Sequence, residues 1–130
     1  MHQLPALATL LTVLLLFLTA AVTGRARGKY GIKAPATSGH PAFERAYRVQ
    51  MNTIEASVMF LPALWLAASY GFGGWAGIAG LVWIAGRTWY AVAYWGDAAK
   101  RGPGFAVGML AFLVLLVMAA IGVVRALLAA

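Results

Sequence analysis

Between Glu55 and Arg87 the chain runs for thirty-one residues, 56–86, without one Asp, Glu, Lys or Arg. A helix that crosses a membrane needs about 20 consecutive apolar residues, and buried soluble helices rarely carry more than about 14. The run is too long for one crossing and suits two, with the cluster Gly71-Phe72-Gly73-Gly74 as the break between them. Residues 4–22 form a second uncharged run, nineteen residues long, and a third begins near Gly104 and ends near Val124. Composition agrees: 63% of residues are hydrophobic and 10% charged, where soluble domains carry about 25% charged residues. Lipid is the solvent these segments require.

The expected architecture is therefore an all-α integral membrane protein, a bundle of four transmembrane helices over about 4–23, 43–70, 75–96 and 104–125, in one domain covering 1–130. The first run reads as a span rather than a cleaved secretory signal. No positive residue precedes it in 1–5, and Arg25, Arg27 and Lys29 follow it directly. Residues 24–42 read as a polar loop, and Pro62 as a tolerated kink in the second span. The first connection carries Arg25, Arg27, Lys29 and Lys33, the third carries Lys100 and Arg101, and the Gly-rich turn carries no charge. The positive-inside rule then places both basic loops in the cytoplasm and both termini outside it. The net charge of +7 lies between apolar runs rather than on a soluble face, which favours anionic lipid and small anionic ligands over nucleic acid. With no cysteine, the chain has neither a disulfide framework nor a thiol nucleophile of its own. His40 has no second His or Cys nearby and reads as a loop residue, so no metal site is expected. Gly73/Gly77 and Gly104/Gly108 have the spacing of helix-association motifs.

An ionisable residue inside a span costs about 2.5–3.5 kcal/mol on insertion scales and needs a partner, a route to the interface or a function. Two groups stand out. Arg48, Asn52 and Glu55 are spaced i, i+4, i+7, one stripe of a helix. Arg87, Tyr90, Tyr94, Asp97 and Arg101 follow the spacing 3, 4, 3, 4, which again places them on one face. Both stripes approach the same side of the membrane, where adjacent helices can form a cationic, aromatic, hydrogen-bonding pocket. The structural alternative is a polar seam, with Arg48 paired to Glu55 through Asn52, and Arg87 to Asp97 or a lipid phosphate.

The segment Arg48-Val49-Gln50-Met51-Asn52-Thr53-Ile54-Glu55, with its pattern Arg-x-Gln-x-Asn-x-x-Glu, resembles the MAPEG family, the membrane-associated proteins of eicosanoid and glutathione metabolism. The similarity extends from the basic segment around Arg27 through Arg87-x-x-Tyr90-x-x-x-Tyr94 to Arg101, and is to members of the microsomal glutathione transferase and leukotriene C synthase type. The resemblance implies a homotrimer of four-helix subunits with glutathione bound between neighbours near the cytoplasmic face. It further implies that Arg48, Asn52 and Glu55 hold the tripeptide backbone and its charged ends. Gln50 and Arg27 would lie around the site, Tyr90 and Tyr94 would touch the peptide, and Arg101 would stand beside the thiol. Two positions depart from the pattern. Ala56 replaces a bulkier residue and Val58 a proline, changes that bear on the cleft for the second substrate.

Glutathione carries two carboxylates, an ammonium and a thiol, so an Arg-rich site with one carboxylate and amide groups matches it chemically. A fixed guanidinium beside the thiol favours the nucleophilic thiolate without a general base. The expected function is a membrane glutathione transferase or peroxidase-like enzyme acting on lipophilic electrophiles or lipid hydroperoxides that enter from the bilayer. A non-catalytic lipid-binding or scaffold protein of the same family is the alternative. A small multidrug transporter fits less well, because proton coupling asks for an acid in the first span and there is none.

Overall fold

The computed structural model describes residues 2–130, and among these every regular element is helical. Helix α1 spans Gln3–Tyr30, α2 Pro41–Ala67, α3 Gly73–Gly96 and α4 Gly102–Ala129. A π-helical turn, Ala68–Phe72, joins α2 to α3, and a single 3-10 turn, Ala98–Lys100, precedes α4. Gln3–Tyr30, the continuous helical stretch Pro41–Gly96 and Ala98–Ala129 are each long and apolar enough to cross a membrane. The middle stretch doubles back on itself. Tyr70 and Gly71 leave helical geometry, Gly71 at φ +111 and Gly73 at φ +33, and glycine accepts such values without the Cβ penalty.

Contacts define the order of packing. Thr23 Oγ1 donates to the Ala46 carbonyl at 3.1 Å and Trp65 Nε1 donates to Thr9 Oγ1 at 2.9 Å, so α1 and α2 run antiparallel. Phe60 stacks on Trp83 at 3.8 Å, which fixes α2 against α3. Helix α3 packs most extensively on α4, and at three positions α4's contacts with α3 and the π-helical turn allow no Cβ. A side chain at Gly86 or Gly104 would overlap the backbone of the opposing helix, and one at Gly122 would overlap Tyr70. Gly77 is pressed in the same way against Leu4 and Pro5 of α1. The glycine pairs expected to serve association thus include Gly77, Gly104 and Gly108 in contacts within the chain, and Gly73 serves the turn.

The hydroxyls inside the bundle are satisfied locally. Thr12, Thr53 and Ser57 each donate to a carbonyl four residues back, at 2.7 Å. Where no water is at hand, such bonds remove the cost of a bare hydroxyl. The outer surface is a belt of exposed Leu, Val, Ile and Phe, with Phe17 and Val58 each 68% exposed. Soluble monomers rarely show contiguous apolar patches of that extent.

The basic segment differs from the expected loop over 24–42. Helix α1 continues to Tyr30, carrying Arg25, Arg27 and Lys29 on its last turns. Cations there complement the carbonyl end of the helix. Gly31, at φ +66, then closes it in a left-handed cap. Within 24–42, only residues 31–40 lie outside helices. His40 is more than a loop residue: its Nδ1 accepts from the Ala42 N–H at 3.1 Å and caps α2, with Pro41 in the first turn. Its ring stacks on Tyr30 at 3.7 Å.

Candidate functional site

The end of the bundle where α1 finishes, α2 begins, α3 finishes and α4 begins gathers Arg25, Arg27, Lys29, Lys33, Arg45, Arg48, Lys100 and Arg101. Arg125 lies at the opposite end, over the Phe72 ring. The basic end is tied together by Arg45, whose Nε donates to the Trp95 carbonyl at 3.1 Å and links the start of α2 to the end of α3.

A concavity of about 390 Å³ opens there between α2, α3 and α4, lined by Arg48, Asn52, Tyr90, Tyr94, Arg101, Gly102 and Phe105. Five of the eight residues singled out in the sequence therefore meet in one basin. A second hollow of about 420 Å³ adjoins it across Arg48 and Tyr94 and contains Glu44, Arg45 and Asp97. The basin has two exposed guanidiniums, two tyrosines and one amide, a set that suits a ligand with carboxylates. Glutathione's carboxylates and amide carbonyls fit such a set, and its ammonium has no carboxylate partner among the basin's own lining residues.

Arg101 reaches the basin differently from the sequence expectation. Helix α3 stops at Gly96, because Asp97 adopts an extended backbone (φ −158) and its Oδ1 accepts from the Ala99 N–H at 2.9 Å. Such a side-chain bond competes with helix continuation. The face predicted to run unbroken from Arg87 to Arg101 is thus broken at Asp97. Arg101 is returned to the site by the 3-10 turn, its guanidinium 5.6 Å from the Tyr94 ring centre and its Nη1 donating to the Ala98 carbonyl at 2.6 Å.

Three predicted residues do not line the basin. Glu55 lies one turn beyond Asn52 and is exposed on the surface of the bundle. Arg27 sits over the Phe43 ring at 4.8 Å and donates from Nη1 to the Ala36 carbonyl at 2.7 Å. Gln50, two residues from Arg48, faces another flank of α2 and is half-buried.

Arg87 is the polar group of the core. It is 2% exposed, and lies about 14 Å from the end of α3 at 1.5 Å per residue. The sequence reading offered Asp97 or a lipid phosphate as its partner. Instead Nη2 donates to Asn52 Oδ1 at 2.9 Å and to Thr53 Oγ1 at 3.0 Å, and the guanidinium carbon lies 4.2 Å from the Tyr90 ring centre. Its Nε is buried without a partner. The pairing of Arg48 with Glu55 through Asn52 gives way to this arrangement, since Asn52 is taken by Arg87. Ala56 borders a narrow cleft of about 30 Å³ beside Arg87, Trp83 and Phe105. A bulkier residue at 56 would intrude there.

Another concavity, about 430 Å³, lies elsewhere, between α3 and α4 toward the opposite end, lined by residues such as Trp75, Val82, Leu110, Val114 and Met118. It offers no group able to hold charge, so it is a lipid-facing groove rather than a seat for a charged ligand.

Comparison with known proteins places these residues in context. The MAPEG family pattern matches residues 5–121. An uncharacterized protein of Synechocystis sp. is 46% identical over 113 residues, 87% of this chain and 82% of its own. Microsomal glutathione S-transferase 2 of Bos taurus is 37% identical over 102 residues, 78% of this chain and 70% of its own. Leukotriene C4 synthase of Rattus norvegicus is 35% identical over 117 residues, 90% and 78% respectively. The long apolar helices and the match over 5–121 lead to one conclusion: the chain is an integral membrane protein and belongs to the MAPEG family.

Proposed function

We propose that this protein is a membrane glutathione transferase or glutathione peroxidase-like enzyme that uses the basin at the basic end to bind glutathione and activate its thiol. The observation that carries the reading is the convergence of Arg48, Asn52, Tyr90, Tyr94 and Arg101 on one concavity from two helices and the connection that leads into α4. Similarity to a glutathione S-transferase and a leukotriene C4 synthase supports it. Arg48 and Asn52 hold carboxylate and carbonyl oxygens of the tripeptide, Tyr90 and Tyr94 flank it, and Arg101 stands by the sulfur. A free thiol of this kind has a pKa of about 8.5, and a nearby guanidinium raises the thiolate fraction at pH 7. In transfer, the thiol gives its proton to water and the thiolate forms a carbon–sulfur bond with a lipophilic electrophile, as a leaving group departs with its bonding pair or as a strained ring opens to an anion that takes a proton from water. The electrophile or lipid hydroperoxide arrives laterally from the bilayer, so the reaction is housed where its apolar substrate concentrates.

The chain is further read as crossing the membrane four times and assembling as a homotrimer. Exposed Glu55 supports assembly, because a carboxylate on an apolar surface is costly unless a neighbour answers it. In that arrangement Glu55, Gln50 and Arg27 contribute to the site at the contact between subunits, with Glu55 meeting the ammonium. Purified protein in mild detergent is expected to bind glutathione and to develop the thiolate absorbance band at pH 7. Protein that remains folded and binds no glutathione overturns the reading in favour of a non-catalytic lipid-binding member.

A further inference from the structure

Arg87 touches the basin only through other residues. It is buried within α3, and its polar contacts are with neutral groups, although the chain contains Glu44, Glu55 and Asp97. A guanidinium has five N–H donors and no acceptor. Thr53 answers it with its hydroxyl oxygen while donating its own proton to the Val49 carbonyl at 2.7 Å. Asn52 answers it with Oδ1. An asparagine amide has one accepting and one donating end, and either end can face outward when its neighbour both gives and takes. A neighbour that can only donate removes that freedom. With Oδ1 committed to Arg87, the Asn52 NH₂ is the end left for a ligand in the basin.

We infer that Arg87 is a positioning residue that fixes the amide of Asn52, so that position 52 acts as a hydrogen-bond donor and selects a carboxylate or peptide carbonyl oxygen of the ligand over an ammonium. The inference rests on the glutathione reading of the basin and deepens it, since it assigns which part of the tripeptide Asn52 can hold. It also gives a use to a buried cation without an acid: glutamine at 87 could accept as well as donate and would let the Asn52 amide turn over. The ammonium then requires a carboxylate elsewhere in the site.

The test is a double-mutant cycle on the full chain in detergent, with glutathione affinity measured by calorimetry and folding followed by the unfolding midpoint. Arg87→Gln is expected to weaken glutathione binding by about tenfold in the native background and by less than about threefold in the Asn52→Ala background. Arg87→Lys, also a donor without an acceptor, recovers most of the loss. Asn52→Asp keeps an acceptor for Arg87, so its unfolding midpoint is maintained, yet it has no donor for the ligand and loses at least about tenfold in affinity. If Arg87→Gln yields no folded protein, Asn52→Asp decides alone. Equal losses in the two backgrounds, or Asn52→Asp binding as tightly as the native protein, overturn the positioning role and leave the glutathione reading standing. Native protein that unfolds cooperatively but binds no glutathione overturns both.

Discussion

Arg101 and Arg48 border the same basin from different elements, and their chemistry separates in kinetics. Arg101 leads into α4, held by its bond to the Ala98 carbonyl, and leaves the rest of its fork free beside Tyr94. If it lowers the bound thiol from about 8.5 to about 6.5, the gain is about 2.7 kcal/mol for the thiolate. Arg101→Ala then cuts the thiolate fraction at pH 7 by about twenty-five-fold, with little change in binding. The sign follows directly. The native site keeps its thiolate down to about pH 6.5, whereas the variant regains it only as pH rises through about 8.5. Turnover measured from pH 6 to 9 checks this, and an unchanged pH profile transfers the role to Arg48. Arg48→Ala or Glu55→Gln raises the glutathione Kd instead, and alkali does not restore it, because ionising the thiol does not replace a lost contact to a carboxylate or ammonium.

At the scale of elements, the bundle is held by close backbone approach as much as by large side chains. Lipid offers helices no hydrophobic drive to associate beyond packing and hydrogen bonds, so small residues decide where they meet. Gly86 and Gly104 lie where a Cβ would overlap the opposing backbone, whereas Gly24 has nothing within 4 Å of the Cβ position. Gly86→Ala and Gly104→Ala should each destabilise the protein by about 1–3 kcal/mol, the range for overpacked cores. Gly24→Ala should be neutral or stabilising by up to about 1 kcal/mol, since alanine favours the helix. Unfolding midpoints in one detergent compare the three. Both packing variants should also lower glutathione affinity, because Gly104 contacts the backbone of Tyr90 and so sets the distance from α4 to the basin wall.

For the whole molecule, the asymmetry of charge predicts orientation. Eight of the ten basic side chains gather at one end, so residues 31–40 are expected in the cytoplasm. The chain has no native cysteine, which allows a single Ser38→Cys to be labelled by a membrane-impermeant reagent. Labelling should require access to the cytoplasmic face, and labelling from outside intact cells reverses the topology. The homotrimer is checked by native mass spectrometry in mild detergent. A mass confined to one or two subunits removes the neighbouring wall that Glu55, Gln50 and Arg27 are proposed to supply.

The length and spacing of apolar runs determined that this chain is helical and lives in a membrane, because uncharged runs of about 20 residues match helical crossings, and a helix satisfies its backbone polar groups in lipid within the segment itself. The break at Gly71–Gly74 was equally legible, since glycine tolerates the left-handed values that Gly71 and Gly73 adopt. So was the common side of Arg48 and Asn52, because helical periodicity fixes angles along a single helix. The cap at His40 had a signal too: proline at 41 favours the first turn of a helix. Periodicity carries no information about what stands opposite, and there the tertiary structure decided. It gave Arg87 the amide of Asn52 and the hydroxyl of Thr53 in place of Asp97. It spent Gly77 and Gly104 on contacts within the chain. Local chemistry ended α3 at Gly96, the boundary expected for the third span, through one bond from the Ala99 N–H to the Asp97 carboxylate, and the tertiary structure brought Arg101 back to Tyr94 by the turn that follows. Helix faces are set by neighbours along the chain, whereas partners across helices are set by which backbones can approach closely enough to touch.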